Sequence, residues 1–315
     1  MSVSLFPIRL NRRRLVALRT AALLALMLVA AMSTARAGEP MTVAVSIPPQ
    51  AWIVETIGGD HVDVEVMLPP GAAPATYEPR PRQMESLGRA AIYFSVGAPF
   101  EKGWLPRFRS TNTEMRVVDS VERIARRPMI RHDHDHDHDG EAMKAGIDPH
   151  VWLAPPLVRL QAQTVRDALI QADPANAAAY QAGFHRAAAA INAVDGEILE
   201  VLADVPVERR RFMVFHPAFG YFAEAYGLEQ MTIEIEGKEP GPRELRGVIE
   251  SARAQNVEVV FVEPQFPQRA ARTLADEIGA RVGTLDPLER DWPAGMRAIA
   301  TTLEKSLGVA DPERP

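Results

Sequence analysis

The sequence predicts an α/β protein in which two parallel-sheet lobes are joined by one long helix. Short β-branched segments alternate with amphipathic segments before residue 120 and again after residue 206, and this alternation is typical of parallel sheets covered by helices. The residues between carry a long apolar stripe at helical spacing and no linker rich in Gly or Pro. The chain contains no cysteine, so a packed core has to hold it together.

The first lobe is predicted from short β-rich segments and the helical segments that follow them. The predicted strands are residues 41–47, 61–67, 91–95 and 115–119. The predicted helices are residues 51–57 and 83–90. Residues 68–81 are rich in Pro, Gly and Ala, which favours a loop.

The connection between the lobes is predicted to be helical. Residues 157–172 are amphipathic, and a second helix begins at Asp173-Pro174, with the proline in its first turn. Its apolar residues recur every three or four positions, at Ala177, Tyr180, Phe184, Ala188, Ile191, Val194 and Ile198. A helix that continues to Ala203 is about 45 Å long at 1.5 Å per residue, and it is stiffer than a coil.

The α/β alternation returns after Pro206. The predicted strands are residues 212–215, 231–235, 257–263 and 280–285. The predicted helices are residues 221–226, 243–255, 268–278 and 294–307. The expected organisation is therefore an N-terminal lobe over residues 38–173, a linker helix over 174–204 and a C-terminal lobe over 205–315, with ligands bound at the carboxyl ends of the strands.

Residues 1–37 are predicted to be a signal peptide. An arginine-rich start precedes an apolar stretch, residues 21–32, that is too short to span a bilayer comfortably. Ala35-Arg36-Ala37 then fits a small-x-small cleavage site. The sequence predicts export, with both the general secretory route and the twin-arginine route open.

Charge and composition narrow the function classes. Without the six arginines of residues 1–37 the chain has 29 basic and 41 acidic residues, a net charge of −12. Such a surface argues against nucleic acid and anionic membranes as partners and is compatible with cations. Since the chain lacks cysteine, a bound metal needs nitrogen and oxygen ligands. The absence of a cysteine for lipid attachment predicts a soluble periplasmic protein, which we expect to be a monomer.

Three residues at the ends of predicted strands, or beside the next helix, are candidate metal ligands. His150 lies in "DPHVWLAPP", His216 in "VFHPAFGYF" and Asp286 in "TLDPL". A lone histidine is more often structural than a ligand. Because these positions are topologically equivalent in two lobes, all three are expected to face one crevice.

The run "HDHDHDHD", residues 132–139, is called the tract below and lies in a predicted loop over residues 126–146. Four closely spaced imidazoles among carboxylates chelate a metal in many overlapping ways, which predicts auxiliary metal capture. The residues concerned are His132, His134, His136 and His138. The alternative is a polar loop with incidental affinity.

The chain resembles the zinc and manganese substrate-binding proteins of ABC transporters, the cluster with two lobes and a rigid connecting helix. "PPGAAPATYEPRPRQM", "DPHVWLAPP", "VFHPAFGYFAEAYGL", "IEGKEPGPREL", "FVEPQF" and "TLDPL" occur in the family's order across residues 41–307. The resemblance implies one metal buried between the lobes and delivered to a membrane permease. It also carries over His150, His216 and Asp286 as ligands.

One ligand of the zinc members is missing. Their first motif usually has a histidine where this chain has Ala75, although Gly71, Pro74, Tyr77 and Pro79 match. Zinc prefers four ligands, and the fourth is left open between water, Glu78, Glu263 and a histidine of the tract. Glu263 is expected to orient His216 rather than to bind the metal. The carboxylates of "IEIEGKEP", Glu234, Glu236 and Glu239, are expected to form a solvated face, with a rim for docking or metal capture as the alternative.

The sequence therefore predicts a periplasmic zinc-binding protein that hands its metal to an ABC permease in the inner membrane, not an enzyme. Manganese or iron is the alternative metal. A zinc hydrolase with a three-ligand site is the alternative from another class, although the chain has no HExxH motif. A metal buffer without a permease is a third possibility.

Overall fold

A computed structural model describes residues 39–129, 146–234 and 240–308. The first half of the chain forms a four-stranded parallel sheet with the order β2-β1-β3-β4. Its strands are β1 (Met41–Val45), β2 (Val62–Val66), β3 (Ile92–Ser95) and β4 (Arg116–Asp119). Each lies within one or two residues of its predicted bounds, because β-branched runs ended by Pro, Gly or Asp are strong strand signals.

Four helices accompany this sheet. They are Pro48–Gly58, Pro81–Leu87, Glu101–Thr111 and Pro155–Ala172. Three of them begin with proline, whose fixed φ and missing N–H suit the first turn of a helix. The helix Glu101–Thr111 was not predicted, since Pro106 lies inside it and only Glu101 and Phe108 are buried.

The second half forms another four-stranded parallel sheet, with the order β6-β5-β7-β8. Its strands are β5 (Arg211–Val214), β6 (Glu229–Thr232), β7 (Val259–Val262) and β8 (Arg281–Thr284). The helices are Gly220–Tyr226, Pro242–Ala254, Arg269–Ile278 and Trp292–Leu307. All four strands and all four helices of this half were predicted, so the chain has the expected fold of two α/β lobes.

One helix, Ala177–Ala203, connects the two halves and is called the connecting helix below. It follows a short 3-10 turn at Pro174–Asn176, which replaces the first turn of the predicted helix. Its 27 residues make it about 40 Å long at 1.5 Å per residue. The buried residues form the predicted stripe in large part: Tyr180, Gly183, Phe184, Ala187, Ile191, Val194, Ile198 and Leu202.

A single apolar cluster runs from the first sheet through the connecting helix into the second lobe. It contains Val43 of β1, Ile191 of the connecting helix and Phe261 of β7. A smaller cluster, which contains Met213 and Val260, lies within the second lobe. Gly183 marks the closest approach of the connecting helix to the helix Pro48–Gly58, because a Cβ there would lie 2.1 Å from the Ile57 carbonyl oxygen. The lobes therefore share a core.

The two ends of the tract-bearing segment are bound to each other. Pro128 and Ile147 form an isolated antiparallel bridge, and the Met129 N–H donates to the Gly146 carbonyl at 2.7 Å. The tract itself, residues 132–139, and the predicted signal peptide, residues 1–37, lie outside the described residues. No helix in the described ranges is long and apolar enough to cross a membrane.

Candidate metal site

His150 follows the bridged segment and precedes the 3-10 turn Val151–Leu153. Its side chain is buried, and Asp148 accepts two hydrogen bonds from it through Oδ1, one from the backbone N–H at 3.0 Å and one from Nδ1 at 2.8 Å. Burial lowers the pKa of His150 below its ordinary value, and the hydrogen bond to Asp148 opposes this only in part. The imidazole is therefore neutral at neutral pH, as metal binding requires.

His216 lies just after β5, at the carboxyl edge of the second sheet. Its Nδ1 lies 2.8 Å from Oε2 of Glu234, which follows the neighbouring strand β6. Its ring also stacks on Phe266, with ring centroids 4.9 Å apart. These contacts fix the plane and the rotation of the imidazole.

The two histidines meet across the lobes. Their ring centroids are 5.2 Å apart, and the rings are inclined at 72°. In each ring a carboxylate accepts from Nδ1, which keeps the proton there and leaves the Nε2 lone pair for a metal. The arrangement provides two oriented nitrogen donors, one from each half of the chain.

Glu263 follows β7 and is fully buried. Its carboxyl oxygens lie 3.2 and 3.3 Å from the backbone N–H of His216, which donates to them. The predicted contact with His216 therefore runs through the backbone, and the partner of the imidazole is Glu234. Burial raises the pKa of Glu263 well above its usual value, and the charges of Glu234 and Asp286 raise it further. A carboxyl group in its neutral form is a weak metal ligand.

Asp286 follows β8, the neighbour of β7. Its Oδ1 accepts from Nε2 of Gln265 at 2.8 Å and from the backbone N–H of Leu288 at 2.9 Å. The next residue, Pro287, accepts from the indole Nε1 of Trp152 at 2.7 Å. The Trp152 ring lies 5.1 Å from the His150 ring, so the segments that carry His150 and Asp286 contact each other through Trp152.

A second contact between the halves lies beside His150. Tyr221, five residues after His216, donates from its hydroxyl to the Asp148 carbonyl at 3.3 Å and accepts from the Arg127 N–H at 2.8 Å. The Arg127 guanidinium donates to the Gly220 carbonyl at 2.7 Å. The residues that orient His150 are thus tied to the helix that follows His216.

The structure brings together some of the predicted site residues and not others. His150, His216 and Glu263 are linked by direct contacts, whereas Asp286 bonds to Gln265. In the described part of the chain, no group of three or more His, Asp or Glu side chains is arranged to hold a metal ion. Ala75 and Glu78 are exposed, and the four tract histidines lie outside the described residues.

Two residues of this site were missed or misjudged from the sequence. Glu234 was expected on a solvated face, but it is 8% exposed and bonds to His216, because β6 lies beside β5; Glu236 and Glu239 lie outside the described residues. Asp148 was not singled out. Its position two residues before His150 in "DPH" was the available signal, since aspartate commonly accepts from the backbone two residues on.

Two parallel-sheet lobes bring one histidine each to their junction, beside a continuous connecting helix, as expected for the metal-binding proteins of ABC transporters that the sequence resembles. The family model described as "ZnuA: Zinc-uptake complex component A periplasmic" matches residues 43–306. The chain belongs to this family.

Individual relatives differ in the metal that they are named for. The high-affinity zinc uptake system protein ZnuA of Bacillus subtilis is 28% identical over 262 residues, which cover 80% of each chain. The manganese ABC transporter substrate-binding lipoprotein PsaA of Streptococcus anginosus is 26% identical over 245 residues, 77% of this chain and 78% of that protein. A crystal structure of a ZnuA superposes with a TM-score of 0.76 at 38% identity, over 85% of this chain and 99% of that one.

The family settles the general function. The chain is a metal-binding substrate-binding component of an ABC transporter, with a permease as its partner and a metal ion as its ligand, and not an enzyme. Proteins of this kind act in the periplasm or outside the cell.

Proposed function

We propose that the protein binds zinc with high affinity in the periplasm and delivers it to an ABC permease in the inner membrane for import. The observation that carries the proposal is the pair His150 and His216. Both imidazoles have Nδ1 bonded to a carboxylate and Nε2 left as the donor atom. Imidazole nitrogen suits zinc better than it suits manganese, which prefers oxygen ligands.

Asp286 is the proposed third ligand. Asp286 follows β8, the neighbour of the strand that Glu263 follows, and its segment contacts Trp152 beside His150. Binding through Asp286 requires this carboxylate and the two imidazoles to come within coordination distance of one metal ion. Because Ala75 provides no donor, a fourth group completes the tetrahedron that zinc prefers. Water is the simplest such group, since no segment of the chain has to be ordered to supply it.

The remaining features fit delivery to a membrane transporter. Residues 1–37 would direct export and then be removed. The tract histidines His132, His134, His136 and His138 would raise the local zinc concentration near His150, because the bridge between Pro128 and Ile147 lies at the two ends of the segment that contains the tract, three residues before His150. The protein would act as a monomer.

The proposal is tested by His216→Ala, with His185→Ala as the control. His185 is an exposed histidine on the connecting helix, bonded to Gln181. Zinc and manganese affinities are measured by competition with a chelator, in protein that lacks residues 132–139 so that only the buried site is counted. The His216 variant is expected to lose stoichiometric tight zinc binding, and the His185 variant to retain it. One zinc bound with unchanged affinity in the His216 variant would show that the site lies elsewhere, and tighter binding of manganese than zinc would assign the other metal.

A further inference from the structure

A four-residue turn contacts both candidate metal ligands of the second lobe, His216 and Asp286. It runs from Glu263 to Phe266 directly after β7 and is closed by a hydrogen bond from the Phe266 N–H to the Glu263 carbonyl at 3.0 Å. Glu263 accepts from the backbone of His216, and Phe266 stacks on the His216 ring. Gln265 lies between these two residues and reaches in the other direction, to Asp286.

The chemistry of the contact fixes the orientation of the Gln265 amide. Nε2 donates to Asp286 at 2.8 Å, whereas Oε1 is enclosed and has no hydrogen-bond partner in the described part of the chain. A flipped amide would place Oε1 against the carboxylate oxygen, so that two acceptors faced each other. The donor therefore stays on Asp286.

Two donors converge on one oxygen of Asp286. Gln265 Nε2 and the Leu288 N–H both bond to Oδ1. A carboxylate oxygen has two lone-pair directions, so both directions of Oδ1 are used. Oδ2 is the oxygen that remains for a metal.

The number of oxygens that Asp286 offers bears on the choice of metal. Zinc is four-coordinate in most sites with protein ligands, and a carboxylate bound through one oxygen fits a tetrahedron. Manganese favours six-coordinate sites rich in oxygen, and a carboxylate bound through both oxygens supplies two of the six ligands. A residue that occupies Oδ1 therefore penalises manganese more than zinc.

We infer that Gln265 is a metal-specificity residue: it holds Oδ1 of Asp286, restricts this carboxylate to one-oxygen ligation and so favours zinc over manganese. It is a positioning residue that does not touch the metal. The inference rests on the proposed function, because it takes Asp286 as a ligand.

The test compares Gln265→Leu with Gln268→Leu in the purified protein. Leucine removes the donor and keeps a side chain of similar size. Gln268 is an exposed glutamine three residues along, whose amide oxygen accepts from Arg272 at 2.6 Å. Zinc and manganese affinities are measured by chelator competition. Cobalt(II) is a spectroscopic probe, because its visible absorption is strong in four-coordinate sites and weak in six-coordinate ones.

In Gln265→Leu the manganese affinity relative to zinc is expected to rise roughly tenfold, the size of one lost hydrogen bond to a charged group. The cobalt absorption should weaken, and Gln268→Leu should match the original protein in both measurements. Gln265→Met, which keeps a similar length and removes the donor without adding a charge, serves the same comparison if the leucine variant does not fold. An unchanged affinity ratio with an unchanged cobalt spectrum overturns the inference.

A third variant, Asp286→Asn, separates this inference from the proposed function. Weaker zinc binding in Asp286→Asn, together with an unchanged ratio in Gln265→Leu, removes only the role of Gln265. Unchanged zinc binding in Asp286→Asn removes Asp286 from the ligand set, and with it both the proposed ligands and the role of Gln265.

Discussion

A carboxylate bonded to the far nitrogen of a ligating histidine does two things at once. In His216 it keeps the proton on Nδ1, and it makes Nε2 more basic. Glu234, two residues after β6, fills this role for His216, and Asp148, two residues before His150, fills it for His150. The metal affinity of the site therefore depends on Glu234 and Asp148, which do not bind the metal themselves.

Glu234→Gln is expected to lower zinc affinity about 10- to 100-fold, the usual range for loss of a carboxylate behind a metal-bound histidine. Glutamine still accepts from Nδ1 but lacks the negative charge. Glu229→Gln, at the start of β6, is the control, since Glu229 is exposed and pairs with Arg211. Chelator competition measures both variants. Equal zinc affinity in Glu234→Gln and the original protein would mean that His216 needs no charged partner.

At the scale of single residues, the sequence singled out His150 and His216, whose rings lie together in the structure, but it did not reveal their carboxylate partners. His150 and His216 stand out because each lies beside a proline, with His216 shortly after β5 and His150 directly before the 3-10 turn Val151–Leu153. The partner of His216 is 18 residues away along the chain. Only the strand order, with β6 beside β5, brings the two residues together. Local sequence periodicity does not predict the order of strands in a sheet.

At the scale of elements, the connecting helix packs closely against the helix Pro48–Gly58. Gly183 leaves no room for a side chain, since the Ile57 carbonyl oxygen would lie 2.1 Å from a Cβ. Gly196 on the same helix is exposed, and a Cβ there would meet nothing within 4 Å. The same substitution at these two positions therefore has opposite effects on stability.

Gly183→Ala is expected to lower the free energy of unfolding by about 1–3 kcal/mol, because the helices must separate to admit the methyl group. Gly196→Ala is expected to raise it by about 0.5–1 kcal/mol, because alanine loses less backbone entropy on entering a helix. Urea denaturation followed by circular dichroism measures both. Stabilisation by Gly183→Ala would show that the two helices do not pack as closely as described.

Elements with a strong period were predicted and those without one were not. Most of the strands and the connecting helix have β-branched runs or apolar stripes; β6, with the sequence EQMT, lacks such a run and overlaps its predicted range, 231–235, at only two positions. The helix Glu101–Thr111 has two buried residues and an internal proline, so its sequence favours a loop. Its position is fixed by contacts that no local pattern records: Glu101 accepts from Ser46 and from the N–H groups of Val96 and Gly97.

At the scale of the whole molecule, the lobes share one core instead of being joined by a flexible strand. The apolar cluster continues from β1 to β7 through the connecting helix. Trp292 of the last helix donates from Nε1 to the Trp152 carbonyl at 2.7 Å. Arg297 of that helix also bonds to Glu197 of the connecting helix. Opening the molecule as a hinge would expose this core and break these bonds.

Zinc binding is therefore expected to leave the radius of gyration unchanged, with movement confined to side chains and loops near the site. Small-angle X-ray scattering of the purified protein with and without zinc measures this, with magnesium as the control ion. A clear decrease in the radius of gyration with zinc but not with magnesium would contradict this prediction, because it would mean that the lobes close on each other despite the shared core.

The tryptophans have an optical consequence. Three of the four tryptophans in the chain form a connected series, in which Trp52 contacts Trp292 at 5.2 Å between ring centroids and Trp292 donates to the Trp152 carbonyl. The Trp152 ring lies 5.1 Å from that of His150. Indole emission shifts with nearby charge, and at this range a charge acts strongly in a buried environment. The protein thus carries its own fluorophore beside His150. Its emission maximum is expected to shift when this imidazole binds a metal ion, so no dye has to be attached.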